Sequence, residues 1–219
     1  MKKLNNPVLI GAVLLLVTTT SLLSQSISQY YTAMPDILNP VLSKKQRWEL
    51  LEYYKAEMGD SIENRFGNQS HIVSLDTINN HILVQNTGIS TFEMMLFENG
   101  SDTLIGIIKT VCAPICQSSI DFYNPQWQKR PDIKFNFPKA NDWVCIEKLN
   151  EAGLTQENVR NTLNTSFISL AFRCETNEIT AKNNSLEFLD KENREKLTTV
   201  VDEKDFVYQL ERGEWVKTP

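Results

Sequence analysis

Cys112-Ala113-Pro114-Ile115-Cys116 is the segment whose residue types and spacing carry the most chemistry. If two strands close through the three intervening residues, the cysteines face each other at the neck of a hairpin. Directly opposed strand residues have Cα atoms about 4.5–5.5 Å apart, which a disulfide can span. A bridge over so short a loop contributes about 2 kcal/mol by chain entropy and makes a rigid staple for the tip. Free thiols and redox or metal chemistry are the competing readings. The usual redox dithiol is Cys-x-x-Cys at a helix start. Here the spacing is one residue longer and the context is strand.

Cys145 and Cys174 form a leftover pair, which either bridges within the second half of the chain or supplies two small apolar residues. They lie 29 positions apart, so no second close pair completes a four-cysteine zinc site. His71 and His81 are the only histidines; without an acidic cluster beside them they read as polar strand-edge residues rather than metal ligands. No serine sits in a Gly-x-Ser-x-Gly elbow, and the 8 glycines form no phosphate loop. Trp127, flanked by Asn124-Pro125-Gln126 and Gln128, is either an aromatic ligand platform, sugar rings included, or a plug between two halves. Tyr30 and Tyr31 carry the same pair of readings. No catalytic residue, cofactor or metal site is assigned.

The elements that position these residues follow from pattern. Pro35 and Pro40 break the start of a helical block from Tyr30 to Met58. Ser43 then starts a clean helix, with Gln46 completing a capping box. Trp48, Leu51, Tyr54 and Met58 fall on one helical face, and Gly59 is a natural stop. His71–Leu75, Ile82–Gln85, Thr91–Glu98, Leu104–Cys112 and Ser118–Tyr123 are strand-like runs. The Asn99-Gly100 turn is a strong hairpin signal. Links this short force antiparallel pairing, hence a meander of four or five strands packed on the first helix.

The polar segment Asn124 to Asn141, broken by Pro125, Pro131 and Pro138, reads as a boundary or long crossover. Beyond it, Thr155 caps a helix through Leu163 and Phe167–Cys174 is a strand. Asp190 caps a helix through about Val201, and Phe206–Leu210 with Glu214–Val216 flank Arg212-Gly213 as a terminal hairpin. One internal echo is visible: Leu42 to Leu50 and Leu189 to Leu197 place a cap, a Lys, an Arg and a Leu at the same offsets. An ordinary capped surface helix accounts for this more simply than duplication of a helix-plus-sheet unit. The expected fold class is α+β, an N-terminal helix on an antiparallel meander followed by a smaller helix-plus-strand half. The expected divisions are 1–24, 25–125 and 126–219, the last two either separate or packed as one unit.

Lys2 and Lys3, the apolar run Val8 to Val17 and the small polar stretch Thr18 to Ser24 form a secretory signal over residues 1–24. Ser24 and Ser26 fit the small-residue rule at the cut, with Ser21 and Ser24 as other candidates for the last residue removed. The apolar core is too short for an ordinary spanning helix. Membrane contact is therefore expected only through this segment. An exported chain meets an oxidising compartment, which favours the staple reading of Cys112 and Cys116.

The 219 residues are 41% hydrophobic and 22% charged, which excludes a disordered, low-complexity or multi-pass membrane chain. The net charge is −5, and the export segment holds two lysines and no acid, so the remainder is more acidic still. No basic cluster exceeds Lys44-Lys45-Gln46-Arg47, and a nucleic-acid partner is not expected.

Three stretches resemble a known family: Ala33-Met34-Pro35-Asp36, the segment Thr110 through Ser118, and the tail from Leu186 ending Glu211-Arg212-Gly213-Glu214-Trp215-Val216. They are similar to Bacteroidales secreted proteins classed as a domain of unknown function. The resemblance runs from about Tyr30 onward, and Thr-Val-Cys-Ala-Pro-x-Cys is its sharpest motif. It implies an exported Gram-negative protein and supplies no activity, cofactor or catalytic residue. Cys145 and Cys174 are not part of its pattern. The expected function is a binding or interaction module of the periplasm or cell surface, with an envelope protein or glycan as partner. The alternative is an envelope enzyme, either hydrolytic or thiol–disulfide, the latter acting through Cys112 and Cys116.

Overall fold

A computed structural model describes residues 26–59, 61–99 and 102–218. The export segment expected over residues 1–24 and residues 100–101 of the Asn99–Asp102 turn lie outside the described residues. The fold mixes helices and strands and is dominated by two antiparallel sheets.

The described residues open with α1 (Ile27–Ala33), a short 3-10 turn at Asp36–Leu38 and α2 (Lys44–Lys55). Pro35 separates the two helices, as its missing N–H and fixed φ require. Ser43 caps α2 by accepting the Gln46 N–H, and the Gln46 side chain returns the bond to the Ser43 N–H at 3.0 Å. The helix stops four residues before Gly59. Glu57 takes the left-handed position there (φ 53°), and the N–H groups of Glu57 and Met58 bond back to Tyr54 and Tyr53.

The buried face of α2 also differs from the expected stripe. Trp48 and Met58 face solvent, whereas Arg47, Leu50 and Leu51 are buried. Hydrophobic spacing alone does not find this face, because its centre is an arginine. Arg47 is fully buried and donates to the carbonyls of Tyr31 (2.9 Å), Leu42 (2.6 Å) and Met34. Those carbonyls belong to the end of α1 and the loop before α2, so one side chain fixes the corner.

Six strands follow: β1 (Ser61–Glu63), β2 (Gln69–Asp76), β3 (His81–Thr87), β4 (Ser90–Asn99), β5 (Asp102–Cys112) and β6 (Cys116–Tyr123). They pair in sequence order as one antiparallel meander, with one strand more than the expected four or five. Three-residue β1 is too short for a periodic signal. The runs in β4 and β5 are continuous rather than alternating because both faces of the sheet are covered. Phe92, Met94, Ile105 and Ile107 pack with α1 and α2 in one core, while Met95, Phe97, Leu104 and Ile108 enter a second core.

That second core is shared with the C-terminal half. α3 (Ile146–Leu149), α4 (Gln156–Thr162), β7 (Ile168–Arg173), β8 (Glu178–Asn183), α5 (Lys191–Thr198), β9 (Phe206–Glu211) and β10 (Glu214–Lys217) build it. The four strands pair in chain order as a second meander. Helices therefore cover one face of the large sheet and the small sheet covers the other. Strand β8 is absent from the sequence expectations: Glu-Ile-Thr-Ala-Lys-Asn has too few large apolar residues to stand out. The terminal hairpin turns at Arg212 and Gly213, both at positive φ, as a two-residue turn requires.

β7 is an edge strand whose outward N–H groups are capped by side chains of the large sheet. Ile168 donates to Gln117 Oε1 at 3.0 Å, Leu170 to Ser118 Oγ at 2.9 Å and Phe172 to Glu93 Oε1 at 3.1 Å. This satisfies a row of donors that would otherwise invite another strand. Among the described residues no helix is long and apolar enough to cross a membrane.

Candidate functional site

Cys112 and Cys116 are directly opposed across the β5–β6 neck, and their sulfurs are joined. Their Cα atoms lie 3.9 Å apart, closer than an average opposed pair. The ends of the ribbon are held from outside as well. The Cys112 N–H donates to the Ile89 carbonyl at 2.8 Å, and Asn184 Nδ2 donates to the Cys116 carbonyl at 3.0 Å. The bridge thus sits between the β3–β4 turn and the end of β8, on strand backbone held on both sides.

Trp127 is half-buried in the crossover. Its ring lies 6.2 Å from that of Tyr30 and 6.3 Å from that of Tyr123, against the helix-side core. Tyr31 is fully buried, tilted against Phe92 at 5.9 Å, and burial pushes its hydroxyl pKa up despite the nearby Arg47 charge.

The two histidines do not meet. His71 pairs with Gln85 and His81 with Asp76, at opposite ends of the β2–β3 ladder. His81 is also no polar strand-edge residue. It is buried, and its Nε2 lies 2.8 Å from Glu93 Oε1, the oxygen that also accepts the Phe172 N–H. The acidic neighbour comes from β4, twelve positions away, which local spacing does not reveal. Beyond this pair, Cys174 Sγ approaches Asp76 Oδ2 at 3.9 Å. Burial, Glu175 and Asp76 all push the Cys174 thiol up, which disfavours the nucleophilic thiolate. Hydrogen bonds from the Asn79 backbone and side chain hold the Asp76 carboxyl below its usual range.

Among the described residues a concave feature with a mixed lining lies elsewhere, between the segment Lys139–Ile146 and α4. It encloses about 460 Å³, within the size range of small-ligand pockets. Thr155 caps α4 by accepting the Asn158 N–H at 3.2 Å. The opposite wall is pinned from three directions. Ala140 N–H donates to Ser166 Oγ at 2.9 Å, Cys145 N–H to the Val200 carbonyl at 2.8 Å and Asp202 N–H to the Trp143 carbonyl at 2.8 Å. Trp143 beneath it stacks on Phe206 with centroids 3.9 Å apart.

Val144, Ile146 and Val159 give the cleft an apolar side, and Ile146 is 59% exposed. Lys139, Gln156 and Arg160 stand around it, with Asn141 and Asp142 at the turn. Asp142 Oδ2 accepts the Lys139 backbone N–H at 2.8 Å, and Asn141 Nδ2 donates to the Leu163 carbonyl at 3.3 Å. The Asp142 charge, after burial, helps push the Tyr208 hydroxyl to about 12. Among the described residues no nucleophile with an adjacent base lines this space. What it offers is an apolar contact beside cationic and amide groups, the chemistry of binding.

The family model described as "Protein of unknown function (DUF3256)" matches residues 19–215. The chain belongs to this family. No curated protein matches it. The fold is similar to a solved structure described as a domain of an uncharacterized protein from Porphyromonas gingivalis W83. The two share 19% identity at a TM-score of 0.73, over 88% of this chain and 97% of that one. At that identity the likeness is one of fold. In this DUF3256 chain the cleft residues carried no sequence signal. Lys139, Asn141 and Asp142 sit in a polar crossover, and Gln156 and Arg160 look like any solvated helix face.

Proposed function

We propose that this protein is an exported binding module of a Gram-negative envelope, acting in the periplasm or on the outer surface on an envelope protein or a glycan. The observation that carries the binding reading is the cleft of about 460 Å³. It pairs an apolar wall with a few convergent polar side chains on a scaffold fixed by backbone hydrogen bonds. Such convergence of a few polar groups on an apolar concavity is how small recognition sites are built. The export reading rests on the charged, apolar and small-polar order of residues 1–24.

The test has two arms. Cell fractionation with a tag at the C-terminus should recover the protein, shortened by its export segment, outside the cytosol. Titration of the isotopically labelled protein with envelope glycans and envelope proteins should shift the backbone amides of Val144, Ile146 and Val159. Recovery of uncut protein in the cytosol defeats the export reading. A cleft that stays silent across the whole panel defeats the binding reading.

A further inference from the structure

The cleft is best matched by a peptide chain end, and we infer that it takes the free C-terminal carboxylate of a peptide whose last side chain is apolar; this rests on the cleft being the binding site. Five of the seven arginines have partners. Arg47 and Arg65 meet Asp36, Arg130 meets Asp132, Arg173 meets Glu178, and Arg194 donates to three carbonyls. Among the described residues Arg160 and Arg212 lack them, and Arg212 sits in the β9–β10 turn. Arg160 stands at the cleft, with the exposed Lys139 across the same space. A planar guanidinium with free donors is suited to bidentate capture of a carboxylate.

The rest of the lining narrows the ligand. Among the described residues no aromatic ring lines the cleft, so they offer no stacking surface of the kind that favours sugars. Asp142 at the turn and Glu157 beside Arg160 lower the local positive charge, which suits a monoanion better than a phosphate. Val144, Ile146 and Val159 lie beside the cations, so an apolar side chain adjoining the captured carboxylate finds its contact. The last residue of a peptide places these two groups one carbon apart. Asn141 Oδ1 and the Gln156 amide remain available to the preceding peptide group.

The probe is a pool of N-acetylated pentapeptides ending in Ala, Val, Leu, Ile or Phe, prepared as free acids and as C-terminal amides. The free acids are expected to shift the amides of Val144, Ile146 and Val159. The C-terminal amides are expected to bind at least about tenfold more weakly, the size of a lost charge-assisted hydrogen bond. Arg160→Gln, on an exposed position, should weaken the acids by a similar factor and the amides by clearly less. Added salt should erode the difference between acid and amide.

Equal binding of acids and amides overturns the inference, as does binding of the acids away from the cleft. If the peptides leave the cleft unmoved while an envelope glycan or protein shifts it, this inference falls and the binding reading stands. If nothing shifts it, both fall.

Discussion

Arg47 and Arg194 each donate to the carbonyl of the leucine five residues back: Arg47 Nη1 to Leu42 at 2.6 Å and Arg194 Nη2 to Leu189 at 3.3 Å. Both stand in the first turns of a capped helix, α2 behind Ser43 and α5 behind Asp190. The sequence echo between Leu42–Leu50 and Leu189–Leu197 is thus an echo of one device, an arginine that ties a helix start to the turn before it. The surroundings differ. Arg47 is fully buried, and Arg194 bonds the Leu186, Glu187 and Leu189 carbonyls at the surface.

Burial should decide the cost of losing each. Arg47→Met removes the donors to three carbonyls that water cannot reach and leaves them orphaned. A loss of about 3–5 kcal/mol is expected. Arg194→Met exposes its carbonyls to solvent and should cost about 1 kcal/mol or less. Urea unfolding of the two variants measures this; equal losses would show that the shared geometry, not the environment, sets the value.

Glu93 is the second position where a buried polar group joins separate elements. Its Oε1 accepts the Phe172 N–H from β7 and meets His81 Nε2 from β3. Glu93→Ala strips both partners inside the core and should cost about 3 kcal/mol or more. Glu93→Gln keeps an acceptor of the same shape, so about 1 kcal/mol is expected. Amide exchange at Phe172 separates the mechanisms, because it should quicken markedly only in the alanine variant.

These two residues also mark where the sequence stopped being legible. The large sheet was readable because β4 and β5 are long apolar runs joined through Asn99-Gly100. The capped starts of α2, α4 and α5 were readable because Ser43, Thr155 and Asp190 act within a few residues. The buried face of α2 was not, because its centre is a charged side chain satisfied by carbonyls 5 to 16 positions away. The Glu93–Phe172 bond spans 79 positions and the cleft joins Lys139 to Arg160, distances at which no local period operates.

Gly106 on β5 lies where two aromatic rings close over the backbone. An added Cβ would sit 2.8 Å from Phe172 Cζ and 2.9 Å from Phe97 Cε2. Neither ring is free to yield, since Phe97 packs edge-on against both Phe172 at 5.4 Å and Trp215 at 5.3 Å. Gly106→Ala should therefore destabilise by about 1–3 kcal/mol through overpacking, despite the better strand propensity of alanine. The double variant with Phe172→Leu should recover part of the loss in the same denaturation assay, which a backbone effect at residue 106 would not allow.

Asp36 gives the fold an acid-sensitive corner. Burial pushes its carboxyl up, but hydrogen bonds and charge from Arg65 and Arg47 outweigh this and hold it below the usual carboxylate range. A lowered folded-state pKa contributes stability above the unfolded value, about pH 4, and loses it as pH falls through the folded value. Asp36→Asn should therefore be less stable than the parent near neutrality. The gap should narrow steadily below about pH 4, as thermal melts across the acid range can follow. A gap independent of pH would assign the effect to the hydrogen bond from the Lys44 N–H to Asp36 Oδ1 instead.

The Cys112–Cys116 bridge closes a five-residue loop, so its entropic contribution is small, about 2 kcal/mol, and replacing both residues by serine should cost roughly that. The hairpin should survive, because β5 and β6 keep their ladder and the Cys112 and Cys116 backbone bonds to Ile89 and Asn184 remain. A staple and a catalytic dithiol differ in redox poise. A structural bridge resists a glutathione buffer, whereas an exchanging one equilibrates at the potential of known oxidoreductases. Mass spectrometry of the alkylated protein after such equilibration should find Cys112 and Cys116 still joined while Cys145 is labelled. Reduction of the bridge at mild potential, with the fold intact, would move the assignment from bracing the ribbon to thiol–disulfide exchange.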